Sequence, residues 1–169
     1  MSGNQQRQGE IGESAAEYAL KRLGVYNVAK IPVDKICAGK KTIYKERVLG
    51  DRRGELANGI SVLAEVKTTR NKTRLTWSAF TSPKQPKNLD DHRGLSLLVW
   101  VCETDWTREI YVIDWRVLLR YGFQKGAGIG IEDAEKIRMT QKDFDFLGGI
   151  SKDAKCQFVH VSMDTVAPF

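Results

Sequence analysis

The sequence predicts a mixed α/β domain, and three observations predict it. An amphipathic helical stretch opens the chain. Several short segments then alternate apolar and polar residues with period two, the signature of strands. Further short helical stretches fall between and after those strands, so the two kinds of element intermingle along one chain.

The first helix is expected from about Gly9 to Leu23, ended by Gly24. Ala16, Ala19, Leu20 and Leu23 recur at helical spacing and form its apolar stripe. Residues 26–33 read as a strand whose Pro32 places its end at a sheet edge. Residues 35–41 form a basic, glycine-containing connection, and 41–49 a second extended piece. Gly50-Asp51-Arg52-Arg53-Gly54 has turn chemistry at both ends. In the strand expected over 59–69, Val62, Ala64 and Val66 alternate with Leu63, Glu65 and Lys67. Period two puts Glu65 and Lys67 on one face, their Cα atoms about 7 Å apart.

Residues 74–80 alternate as a further strand, and a helix follows over 86–93 with Pro86 in its first turn. Leu95 to Glu103 is a strongly apolar strand, Arg108 to Asp114 another, and 115–121 a helix. Residues 122–130 read as a flexible glycine-rich loop. Thr140 caps a short helix reaching Leu147, and 156–163 forms a last strand. There is no internal repeat. The 169 residues suit a single domain, with residues 1–8 as a flexible lead.

A hydrophobic content of 41% fills a core and excludes wholesale disorder. Lys and Arg number 27 against 21 acidic residues, a formal charge of +6, which points to a polyanionic partner. The cations cluster: Lys40, Lys41, Lys45, Arg47, Arg52 and Arg53 in one stretch, Arg70, Lys72 and Arg74 in the next. They bracket Asp51, Glu65 and Lys67, which fits phosphate contacts on one DNA-binding side better than a uniform solvated coat. The polar N-terminal segment has no signal-peptide core, and no apolar run approaches the roughly 20 residues of a membrane span. Cys37, Cys102 and Cys156 are odd in number and far apart, against a disulfide framework or a zinc site, and they point to a reducing cytoplasm.

Asp51, Glu65 and Lys67 together suit phosphodiester hydrolysis. Two carboxylates can hold Mg²⁺, which favours oxygen ligands and keeps several waters. Such an ion polarises a phosphate and acidifies a bound water. A lysine beside it orients the nucleophile and offsets transition-state charge. An E-x-K alternation alone is common on solvated strands; the apolar context of this strand is what sets it apart, because a charged pair is expensive to bury there. Glu13 lies along the edge of the first helix's apolar stripe, where a carboxylate can reach a site at the sheet margin.

These residues carry a resemblance. Gly12 to Gly24 (G-E-x-x-A-x-x-Y-A-L-K-R-L-G), Gly50-Asp51 and Ala64-Glu65-Val66-Lys67 look like the PD-(D/E)xK nuclease superfamily. Lys30-Ile31-Pro32, residues 44–54, 65–73, Gln85, and the strand Leu95 to Val101 resemble the RecU-type Holliday-junction resolvases over about residues 9–147. The resemblance implies a restriction-endonuclease-like fold, a mixed β-sheet flanked by helices, with a basic stalk over about 34–47. It implies a homodimer that makes paired nicks in four-way-junction DNA using Mg²⁺, for which Mn²⁺ can substitute. Asp51, Glu65 and Val66 would be the metal ligands, Lys67 the catalytic lysine, Glu13 the helix carboxylate, and Gln85 the helix residue near the scissile phosphate. The short 38–41 segment and the lack of histidines flanking Gln85 depart from that pattern, and both bear on junction specificity.

Two other readings stay open: a branched-DNA-binding module that does not cut, and a restriction- or mismatch-type nuclease acting on duplex DNA. His92 and His160 have no partner at metal spacing. Gly126 to Gly130 lacks the Gly-Lys-Ser/Thr of a phosphate loop. Trp77, Trp100, Trp106 and Trp115 read as core or rim packing, with Trp77 the best candidate to stack on DNA.

Overall fold

A computed structural model describes residues 3–32, 35–38, 41–44 and 50–150, with 3–9, 35–38 and 41–44 described as backbone alone. The chain is mixed α/β. A five-stranded sheet runs in the order β1 (Tyr26–Lys30), β4 (Arg52–Glu55), β5 (Ser61–Arg70), β7 (Leu95–Glu103), β8 (Arg108–Asp114). Only the β5–β7 pair is parallel.

The two central strands are buried on both faces, so each carries two interleaved apolar sets. Val62, Ala64, Val66, Leu97, Val99 and Val101 point to one face, where Ala16 and Leu20 of helix α1 (Gly3–Arg22) and Phe144 of helix α5 (Gln141–Leu147) cover them. Leu63, Leu98, Trp100 and Cys102 point to the other. They meet Leu89 of helix α2 (Lys84–Asp91), Trp115 and Leu118 of helix α3 (Trp115–Arg120), and Ala134 and Ile137 of helix α4 (Ile131–Ile137). Close packing of α1 requires glycine at position 12, where a Cβ would lie 2.0 Å from Thr68 Oγ1.

The expected strands over 95–103 and 108–114 are present at those bounds, and 59–69 is present as β5. Other expectations are corrected. Helix α1 starts at Gly3, ahead of the expected Gly9, through Gln and Arg residues that favour helix without any apolar period. The connection over 35–41 is half of a ribbon: β2 (Lys35–Ala38) pairs antiparallel with β3 (Lys41–Tyr44), apart from the main sheet. Of the strand expected over 74–80, β6 (Arg74–Thr76) survives, and Trp77–Ala79 turns into a 3₁₀ helix that packs Trp77 inward. The glycine loop ends in β9 (Gly128–Gly130), which pairs with β6, and α4 follows it unforeseen. Its apolar positions, Ile131, Ala134 and Ile137, are too few to mark a helical period. The strand expected over 156–163 lies outside the described residues.

Helix caps match sequence chemistry. The Asp143 carboxylate accepts from the Thr140 backbone N–H and hydroxyl at the start of α5. Asp114 ends β8 and caps α3, its Oδ1 accepting from the Arg116 and Val117 N–H groups at 2.7 and 3.3 Å. Burial pushes the Asp114 carboxyl above the usual carboxylate range, against the lowering effect of those two bonds. A carboxyl raised in the folded state favours folding in acid and weighs against it once ionised. Asp114→Ala is therefore expected to cost about 1 kcal/mol, whereas Asp114→Asn, which keeps the cap and sheds the buried charge, should lose nothing at pH 7. Urea denaturation of both variants checks this, and an equal loss in both would overturn it.

Candidate active site

Strand β5 brings the candidate residues together. Its odd positions face α2, so Glu65 and Lys67 project side by side into the layer beneath that helix. Glu65 is 1% exposed, a carboxylate set among Leu63, Leu98 and Trp100. Burial of that kind demands hydrogen-bonding partners. Lys67 Nζ donates to Glu65 Oε1 at 2.8 Å and to Gln85 Oε1 at 3.3 Å. Gln85 Nε2 donates to the same Glu65 oxygen at 2.5 Å, and Gln85 Oε1 also accepts from the Thr81 N–H.

Phe80 completes the setting of the lysine. Lys67 Nζ lies 4.8 Å from the Phe80 ring centroid, a cation–π distance. Phe80 is itself fixed by rings of Trp77, Trp115 and Phe123 at centroid separations of 5.4, 5.7 and 6.1 Å. The lysine ammonium is thus held between a carboxylate, an amide and an aromatic face. Helix α2 carries Gln85 in its first turn, earlier than the expected start at Pro86, with its N–H bonded to Ser82 O.

Asp51 converges from the other edge of β5. Gly50 permits the approach, because a Cβ there would lie 2.8 Å from Ala64 O. The Asp51 N–H donates to Ala64 O at 2.9 Å, and Asp51 Oδ2 accepts from the Val66 N–H at 2.9 Å. The N–H and C=O of one strand residue point to the same neighbour. The Val66 carbonyl therefore faces the edge that Asp51 occupies, beyond the last β4–β5 register pair, Arg52 with Ala64.

Arg52 is the main departure from expectation. As the register partner of Ala64 it shares that residue's face, toward α1, and its side chain is 5% exposed. Its Nη1 donates to Glu13 Oε2 and to Asp51 O, both at 3.1 Å, and its Nε lies 3.5 Å from Glu17 Oε2. Expected as a phosphate contact, it is an interior strut that ties α1 to the Asp51 backbone; a buried guanidinium needs such partners. Glu13 also meets Lys30 Nζ at 2.6 Å. Burial pushes the Glu13 carboxyl up, but the bonds and charges of Lys30 and Arg52 outweigh it and hold the group below the usual carboxylate range. Glu13 thus reaches Asp51 through Arg52.

Among the other cations, Arg53, Arg70, Lys72 and Arg74 are exposed. Arg70 lies 3.9 Å from Asp105, and Arg74 donates to Gly128 O. Lys41 opens β3, while Lys40, Lys45 and Arg47 lie outside the described residues. Of the tryptophans expected to pack, Trp77, Trp100 and Trp115 do so and Trp106 does not. Trp77 is packed against Phe80, Trp115 and Phe123, whereas Trp106, expected to pack, is 94% exposed. Lys30, Phe80 and Arg52's inward role had no sequence signal, since each depends on a partner distant along the chain.

The oxygen donors suit a hard divalent cation. Among the described residues no group of three or more His, Cys, Asp or Glu side chains collects as a metal cage. Mg²⁺ needs none, since it is held by one or two carboxylates and keeps its waters. Asp51, Glu65 and the Val66 carbonyl supply that donor type.

No protein-family model matches the chain, and no curated protein matches it. Among solved structures, one described as the crystal structure of SSO0001 is similar at 18% identity and a TM-score of 0.29, over 78% of this chain. This chain spans about 60% of the length of that protein. No described helix is long and apolar enough to cross a membrane.

Proposed function

We propose that the protein is a Mg²⁺-dependent DNA endonuclease of the PD-(D/E)xK kind, a structure-specific enzyme that nicks branched DNA as a homodimer in the cytoplasm. The observation that carries the reading is the convergence on β5 of Asp51 at the Val66 N–H and of Glu65 with Lys67 and Gln85. A mixed sheet with α1 on one face and α2 on the other supports a restriction-endonuclease-like fold.

Asp51, Glu65 and the Val66 carbonyl would hold the cation. When bound, it would polarise the scissile phosphate and acidify an attacking water. The chain's own residues do the positioning. Lys67, fixed by Gln85 and Phe80, presents its ammonium where negative charge builds on the phosphate oxygens. Arg52 and Glu13 brace the Asp51 backbone from behind the sheet. Exposed Arg53, Arg70 and Lys72 are available for phosphate contacts whose strength falls as salt rises.

A labelled synthetic four-way junction and its matching linear duplex, each with Mg²⁺ or chelator, test the proposal. Paired, metal-dependent nicks on the junction alone are expected. Equal cutting of the duplex would keep the nuclease and remove the junction preference. Tight binding with no cutting under Mg²⁺ or Mn²⁺ would leave a DNA-binding module.

A further inference from the structure

The turn between β7 and β8 presents one indole to solvent. Trp106 is 94% exposed, against 0% and 1% for Trp100 and Trp115. Tryptophan is among the most buried side chains on average, so near-complete exposure in a well-formed turn is unusual. The turn is tightly pinned. Glu103 pairs with Arg108 at its base, the Thr104 N–H donates to Thr107 O at 2.8 Å, and the Thr104 hydroxyl oxygen accepts from the N–H groups of Trp106 and Thr107. The indole is therefore carried on an ordered backbone, and less entropy is lost when it is engaged.

Its surroundings select the class of partner. Thr104, Asp105, Thr107 and Arg108 are all polar and exposed, so Trp106 is a single flat ring and not the centre of an apolar patch. A stable protein interface needs about 800 Å² per partner around an apolar core. A lone exposed ring suits one stacking partner, and any base has a π-face to offer it. Cations border the tip. Arg70 and Arg108 are 59% and 46% exposed, and Lys72 is exposed as well. Two of these cations are shared with carboxylates, Arg70 with Asp105 and Arg108 with Glu103, while Glu109 accepts from the Tyr111 hydroxyl, so Lys72 is the further cation at this end of the sheet. The turn also lies at the end of the sheet toward which β5 runs from Lys67, since Arg70 pairs with Glu103.

We propose that Trp106 is a base-stacking residue that captures an unpaired nucleobase of a DNA strand at the β7–β8 turn. The proposal needs neither Glu65 nor Lys67, so it goes beyond the cleavage reading and can stand or fall separately.

The test is metal-free titration of the full chain with an unstructured oligothymidylate and with a blunt duplex, read by tryptophan emission and by anisotropy of the labelled DNA. The single strand should quench the solvent-exposed emission component, and Trp106→Ala should abolish that quench. Trp106→Ala should weaken single-strand binding by about 5- to 100-fold and duplex binding far less, while Trp106→Tyr retains most of the affinity. Unchanged single-strand affinity in Trp106→Ala would overturn the assignment. So would loss of self-association in that variant with DNA binding intact, which would make the indole a contact between copies. Metal-dependent cleavage, measured separately with Trp106→Ala, tells failure of this inference from failure of the nuclease reading.

Discussion

Neutralising either carboxylate or removing the lysine should abolish cleavage and spare DNA binding. Asp51→Asn, Glu65→Gln and Lys67→Ala are each expected to lower the single-turnover rate by about 10³-fold or more, since each would remove metal-holding or transition-state charge. DNA affinity should change little, because the exposed cations Arg53, Arg70 and Lys72 are left in place in all three variants. The three variants differ in a way the geometry dictates. Glu65 Oε1 accepts from both Lys67 and Gln85, so Glu65→Gln leaves a buried ammonium without its carboxylate and should also lower the melting temperature. Asp51→Asn keeps an oxygen able to accept from the Val66 N–H and should be nearly neutral for stability. Circular dichroism separates lost chemistry from lost fold. If all three variants melted and lost DNA affinity together, the roles assigned to these residues would be wrong.

The largest stability effect is expected at Arg52. Arg52→Ala removes a side chain only 5% exposed and strips a partner from Glu13, Glu17 and the Asp51 carbonyl. Breaking a buried pair on one side costs about 3–5 kcal/mol, and the lower end applies because Glu13 keeps some exposure and Lys30. The cost should depend on pH. Glu13 is held below its ordinary 4.5 in the fold. The stability it lends is present above that value and is lost as pH falls through the lowered folded one. Urea denaturation should therefore show a large gap between wild type and Arg52→Ala at pH 7 that narrows in acid as Glu13 takes up its proton. A gap constant across that range would assign the loss to packing of the arginine stem. No gap at pH 7 would mean the strut contributes nothing.

Sequence pattern alone located much of this frame. The apolar run of β7 and the alternation of β5 and β8 are local signals, and each element lies where its periodicity placed it. The pairing of Glu65 with Lys67 was legible for the same reason, because a two-residue step along a strand settles which face both occupy. The β9–α4 segment was not, since its strand is three residues between glycines and its helix has only three apolar positions. Nor was Arg52's inward turn. A basic residue in a basic run looks like surface, and only the Arg52–Ala64 register shows that it faces α1. The exposure of Trp106 was hidden likewise, because composition favours a buried tryptophan and only the turn geometry carries it outward.

The strand arrangement bears on the order in which the chain matures. Asp51, directly before β4, meets Val66 of β5 just past the end of the antiparallel β4–β5 pairing, which closes over a short turn and needs no distant partner. Lys67 meets Gln85 only when α2, part of the long crossover between β5 and β7, has docked, and that parallel pairing closes a far larger loop. A nascent or partly unfolded chain can thus hold one carboxylate in register while the lysine and glutamine remain apart. Any phosphodiester chemistry would appear only with the completed domain, so half-folded molecules released during synthesis would not be active on the DNA around them.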